Sequence, residues 1–132
     1  MTTFESKATI QQPINKVFDF LSDLNNHHKL MPAEDIQNWK SSYDEASFSI
    51  KNMINLSLKV ESRIENKEIK IVPAEKPPFG MELKWELAAD NDQTAVAFTI
   101  TADLNMMMKM AVSGQLKKLA EHETNSLVFL FS

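Results

Sequence analysis

Between Asp35 and Leu104 this chain alternates apolar and polar residues with a period of two, and a single long helical segment follows. Phe48 and Ile50 are separated by Ser49, and Leu56, Leu58, Val60 and Ile64 alternate with Ser57, Lys59, Glu61 and Arg63. Ile69 and Ile71 continue the series. Phe79, Met81, Leu83, Trp85 and Leu87 then alternate with Gly80, Glu82, Lys84 and Glu86, and Val96, Phe98, Ile100, Ala102 and Leu104 close it. Successive strand residues face opposite ways, so this pattern describes a sheet dry on one face and wet on the other, the antiparallel case. The dry face has to be covered, and the terminal helix is the only element long enough to do it.

Upstream, Phe4, Ala8 and Ile10 alternate with Glu5, Lys7 and Thr9, which reads as a first strand. Pro13 suits the first turn of a helix, and Ile14, Val17, Phe18, Leu21 and Leu24 follow at helical spacing. Asn25-Asn26 ends that helix and starts a second short one over 26–31, stopped by Pro32. The segment Pro73–Pro78 reads as a longer loop, because proline cannot donate to a ladder. Only two glycines occur, so Asn and Asp must supply the left-handed turn positions, as in Glu65-Asn66-Lys67-Glu68 and Asp90-Asn91-Asp92-Gln93. The expected order is strand, two short helices, six strands and a long helix, one α+β domain over 1–132.

The last helix begins near Asn105. Met108, Val112, Leu116, Leu119 and Leu127 share about a third of its circumference, with Glu123 on the same stripe and Lys117, Lys118, Glu121 and His122 opposite. Met106, Met107 and Met110 lie off the stripe, so its first two turns are apolar almost all round. Methionine fills irregular space and adapts to variable partners. These three are therefore expected on the wall of a cavity between helix and sheet. Strand parity aims Trp39, Tyr43, Phe79, Met81, Leu83 and Trp85 at the same space, where aromatics add apolar area and Trp and Tyr offer a donor. Trp39 and Ile36 have opposite parity, a conflict that a β-bulge between them would resolve.

Composition narrows the function. The net charge of −4 is scattered without a basic stripe, which argues against nucleic acid. No apolar run reaches the ~18–20 residues that span a bilayer, so no integral membrane segment is expected. The N-terminus lacks a signal-peptide pattern, and the cytoplasm is the default location. With no cysteine there is no thiol nucleophile or thiolate metal site. His27 and His28 project about 100° apart on a short helix and make a poor chelating pair, so both are expected in solvent and no metal or other cofactor is expected. No Ser-His-Asp spacing, HExxH or phosphate loop is present. Asn38, Lys40, Asn52, Ser62 and Glu123 are the polar residues whose positions could point inward. Glu123 is expected near water at the helix end. Buried instead, it could serve as acid or base.

The opening strand before Pro13, the Val17-Phe18-Asp19-Phe20-Leu21 helix, the Leu30-Met31-Pro32 stop with Trp39 beyond it, and the helix start at Asn105–Met110 together resemble the START/birch-pollen-allergen superfamily of helix-grip proteins, grouped in bacteria as SRPBCC or polyketide cyclase-like. The chain is also similar to small subunit-G-type proteins associated with carbon monoxide dehydrogenase maturation. The resemblance covers nearly the whole chain. It implies a curved antiparallel sheet of about seven strands wrapped on the C-terminal helix, with a hydrophobic cavity between them. It implies a lipid, quinone or polyketide-like ligand, and carries over no catalytic residue. Three functions follow as expectations. The first is binding or carrying a small hydrophobic molecule. The second is a cyclase- or hydrolase-type enzyme on an aromatic or polyketide-like substrate, with Glu123 or Lys40 as acid or base. The third is an interaction module of co-chaperone type. The tail Leu127–Phe131 is expected to pack under the sheet edge, with a partner or homodimer contact as the alternative.

Overall fold

The computed structural model describes residues 1–52, 54–76 and 79–131. Strand β1 (Thr2–Ile10) is followed by helix α1 (Ile14–Ser22) and a 3₁₀ helix (Leu24–Leu30). Six strands follow: β2 (Ile36–Ser41), β3 (Glu45–Ile50), β4 (Ile54–Ile64), β5 (Glu68–Pro73), β6 (Met81–Asp90) and β7 (Gln93–Ala102). Helix α2 (Met106–Leu130) comes last. The strands form one antiparallel sheet in the order β1-β7-β6-β5-β4-β3-β2, curled into a half-barrel. The α+β element order expected from the pattern, and the helix-grip architecture that the resemblance implies, are the ones observed.

Consecutive hairpins carry the chain across the sheet, and the first strand then closes onto the last. β1 pairs with β7 along its whole length, from Thr2 opposite Ala102 to Ile10 opposite Thr94. The turns use asparagine as anticipated: Asn66 and Asn91 have φ of 56°, whereas no glycine has positive φ. An asparagine side chain bonds locally and tolerates this region at little cost. Pro73 ends β5 instead of opening a loop, while Pro77 and Pro78 lie outside the described residues.

Two bulges set which side chains face inward. In β2 the register shifts between Gln37 and Lys40, with Asn38 at φ 60°, so Ile36 and Trp39 both reach the inner face. The parity conflict predicted this bulge. In β4 a second shift between Val60 and Ser62 reverses the alternation. Ile64, expected inside, is therefore 48% exposed. Arg63 comes inward instead, and its Nη2 donates to Ser22 O at 2.8 Å.

Helix α2 starts at an Asn105 cap whose Oδ1 accepts from Met108 N at 2.8 Å, which satisfies one free amide of the first turn. Its buried residues are Val112, Leu116, Leu119, Ala120, Glu123, Thr124 and Leu127, so the predicted stripe is the face that meets the sheet. Thr124 and Ser6 of β1 share a 2.6 Å hydrogen bond across that contact. The core lies between this stripe and the inner residues of β3–β7, where Trp85 stacks on its cross-strand partner Phe98 at 4.1 Å between ring centres.

Candidate functional site

The space between sheet and α2 is nearly filled. What remains is a small, nearly closed cavity lined by Leu24, His27 and Met31 from the 3₁₀ helix and its exit, Trp39, Ala46, Phe48, Leu58, Ile71, Leu83 and Trp85 from the sheet, and Glu123 from α2. It leaves about 10 Å³ to the centre of a water-sized sphere, room for one water. Larger hollows exist outside. One of about 560 Å³ lies over Lys7–Thr9, Glu86–Ala88 and Ala95–Ala97, two line the β2–β4 side, and another lies beside Lys29, His122, Ser126 and Leu130. They are open surface depressions, and none is lined by a buried polar atom lacking a partner.

The nearly closed cavity has such atoms. Glu123 is fully buried, and among the described residues neither carboxyl oxygen finds a hydrogen-bond partner; Trp85 Nε1 is likewise buried and unpartnered among them. Such groups are rare in native interiors because each forfeits its bonds to water. Removal from water penalises the carboxylate, so the Glu123 pKa rises to about 8 and the group carries its proton at neutral pH. His27, also buried, is displaced the opposite way. Desolvation penalises its cationic form and outweighs the opposing effects of the Leu21 carbonyl and Asp23, lowering its pKa to about 4. A carbonyl can only accept, so His27 Nε2–H donates to Leu21 O at 2.7 Å and Nδ1 is left unprotonated. His27 also meets Trp85 edge to face at 6.2 Å.

Of the nine expected ligand-contacting residues, Trp39, Leu83 and Trp85 line the cavity. Phe79 and Met81 are buried elsewhere in the core. Tyr43 is 50% exposed in the β2–β3 turn, its ring under the Arg63 guanidinium at 4.2 Å. Met106, Met107 and Met110 are 81%, 80% and 86% exposed, which corrects the expectation that they form the cavity wall. The stripe that packs on the sheet holds Met108, and turning it inward leaves the other three facing solvent. Among the polar candidates Asn38, Lys40, Asn52 and Ser62 are exposed, Ser62 through the β4 bulge, and only Glu123 enters the core.

His27 was expected in solvent and is buried. The signal that marks it is a spacing of three, since Leu24, His27 and Leu30 are all buried on one side of a helix with three residues per turn. His28 stays exposed, as expected. The tail divides: Leu127 is buried and Phe131 packs edge-on against Phe20 at 5.2 Å, while Phe129 and Leu130 face outward. Among the described residues no cluster of His, Asp and Glu is arranged to hold a metal ion, and no helix is long and apolar enough to cross a membrane.

No protein-family model and no curated protein matches the chain. Solved structures do. XoxI from Bacillus cereus superposes with a TM-score of 0.77 at 10% identity, over 99% of this chain and 96% of that one. A START superfamily protein from Mycobacterium smegmatis gives 0.72 at 10% identity, over 98% and 96%. The Aha1 dimer from Colwellia psychrerythraea gives 0.64 at 21% identity, over 99% and 94%. With sheet order, bulges and terminal helix in place, these matches establish that the chain has the helix-grip fold of the START-type proteins.

Proposed function

We propose that this protein binds a small, largely apolar molecule of lipid, quinone or polyketide type between its sheet and α2. One observation carries the reading: a nearly closed apolar cavity beneath the covering helix holds a carboxyl group and an indole N–H that none of the described residues satisfies. Binding sites combine apolar walls with a few converging polar groups, and that is the composition found here. The fold shared with a START superfamily protein supports the same location. The cavity is nearly closed at its present size, so binding requires the lining to move. Met31, unbranched and adaptable, and the 3₁₀ helix that it follows are the parts suited to yield.

Native mass spectrometry of freshly purified protein, together with quenching of Trp39 and Trp85 by hydrophobic probes, tests this. A retained small molecule or saturable quenching is expected. Bare protein that no probe quenches would exclude the reading.

One observation favours a second reading, a cyclase- or hydrolase-type enzyme. Glu123 holds a proton near neutral pH inside a cavity, which suits a general acid. Lys40 is exposed and no longer supports it. Turnover of an aromatic or polyketide-like substrate that disappears in E123Q would favour catalysis over carriage.

A further inference from the structure

The proton inventory of the cavity narrows what can occupy it. Trp85 Nε1–H is a donor only and has no acceptor. Glu123 has no cation beside it, since His27 is the only other titratable residue in the lining and is itself kept neutral by burial. The carboxyl group therefore keeps its hydrogen at neutral pH. Its O–H, like the indole N–H, lacks a partner. Two hydrogens without acceptors thus stand in a wall whose own acceptors, the Glu123 carbonyl oxygen and His27 Nδ1, do not reach them, among apolar residues such as Leu58, Ile71 and Leu83.

Each class of polar end fares differently against this wall. A carboxylate would bury a negative charge where no lining residue supplies a positive one. A neutral amine would take the Glu123 proton, and an ammonium would drive that proton out to solvent; either leaves a buried ion pair, which seldom recovers its desolvation cost. A pure hydrocarbon would leave both donors as they are. An uncharged oxygen acceptor supplies what is missing and buries no charge.

We infer that the ligand is an uncharged molecule whose polar end is a carbonyl oxygen, of ketone, quinone or ester type, seated against Trp85 Nε1 and the Glu123 carboxyl group. This rests on the cavity-binding reading above and adds the chemical class of the ligand. Sites built around buried donors discriminate strongly against analogues that lack the acceptor, because the donors are then left unpaired.

Four benzene-sized probes test it on the wild-type protein: acetophenone, its isosteric hydrocarbon α-methylstyrene, benzoate and benzylammonium. Binding is followed by calorimetry and by the Trp85 indole N–H resonance, which W39F identifies because the chain has two tryptophans. Acetophenone is expected to bind at least tenfold more tightly than each of the other three and to shift the Trp85 resonance. Its affinity is expected to fall above pH 8, as Glu123 loses its donor hydrogen. E123Q, whose amide donates at every pH, keeps the preference and removes that fall, whereas E123L, left with the Trp85 donor alone, reduces it. α-Methylstyrene binding as well as acetophenone, or benzylammonium binding most tightly, would overturn the inference and leave the cavity reading standing. Failure of all four probes to bind at millimolar concentration would overturn both. The wild-type series decides the matter even if a variant does not fold.

Discussion

The imidazole of His28 lies flat against the indole of Trp39, with ring centres 4.8 Å apart and planes 9° from parallel. The same indole rests on Phe48 at 5.1 Å, and its Nε1–H donates to Ser41 Oγ, which donates in turn to Asn25 Oδ1. Trp39 is the one cavity-lining residue that is not buried, so the cavity wall meets solvent there. The hydrogen bond from Ser41 to Asn25 that ties β2 to the 3₁₀ helix at this point is exposed and exchanges readily with water.

Entry between the 3₁₀ helix and β2 follows as a prediction. The chain has no cysteine, so N25C/S41C can be bridged selectively by a short bis-methanethiosulfonate. Stopped-flow fluorescence is expected to show probe association slowed at least tenfold in the bridged protein and restored on reduction. Equal rates in the two forms would place the entrance elsewhere.

Stability should peak in mildly acidic solution. The Glu123 pKa is raised from 4.5 to about 8, so between those values the unfolded chain has released a proton that the folded protein holds, and stability falls as pH rises. The His27 pKa is lowered from 6.5 to about 4, so between those values the unfolded chain binds a proton that the folded protein refuses, and stability falls as pH drops. The two slopes oppose one another from 4.5 to 6.5 and Glu123 acts alone from there to about 8. Urea denaturation across pH 4–9 is expected to show a plateau near pH 5–6 and a loss on the order of a few kcal/mol by pH 8. E123Q should flatten the alkaline limb.

Replacing Glu123 by a residue that asks for no partner should strengthen the fold. E123M keeps the side-chain length and removes two unsatisfied oxygens, so a gain of about 1–3 kcal/mol at pH 7 is expected by chemical denaturation. A loss of stability would show that the carboxyl group has a partner in solution, such as a bound water.

Arg63 joins three segments. Its guanidinium donates to Ser22 O and Tyr43 O, pairs with Asp44 at 2.8 Å and covers the Tyr43 ring. R63A should cost about 1–3 kcal/mol by thermal denaturation, since it leaves the Ser22 carbonyl without this donor. R63K should recover only part, because a lysine cannot reproduce the fork.

The turn asparagines give a control on backbone grounds. Asn91 sits at φ 56°, so N91A should cost roughly 1 kcal/mol and N91G about nothing, by the same denaturation assay.

Most of the fold was legible because period two and the helical stripe are direct geometric consequences of burying one face. The conflict between Ile36 and Trp39 even exposed the β2 bulge. The β4 bulge left no such trace. Val60 and Ile64 keep apparent parity in sequence, and only the register against β5 turns Arg63 inward and Ile64 out. Within the site, strand parity found Leu83 and Trp85, and the helical stripe put Glu123 in view. His27 was hidden because its period is three and its residue type suggests water. The methionines misled for a simpler reason: an apolar residue off the packed stripe has no obligation to be buried.

The contact between Ser6 and Thr124 spans 118 positions of sequence, and β1 waits for β7 to complete its ladder. The fold is therefore complete only once β7 and α2 are both in place. During synthesis a hairpin sheet can assemble strand by strand, but its apolar face stays uncovered until α2 has left the ribosome. Contacts of such high order form slowly. The interval between the last strand and the last helix is therefore when the protein is most exposed to aggregation and to chaperones.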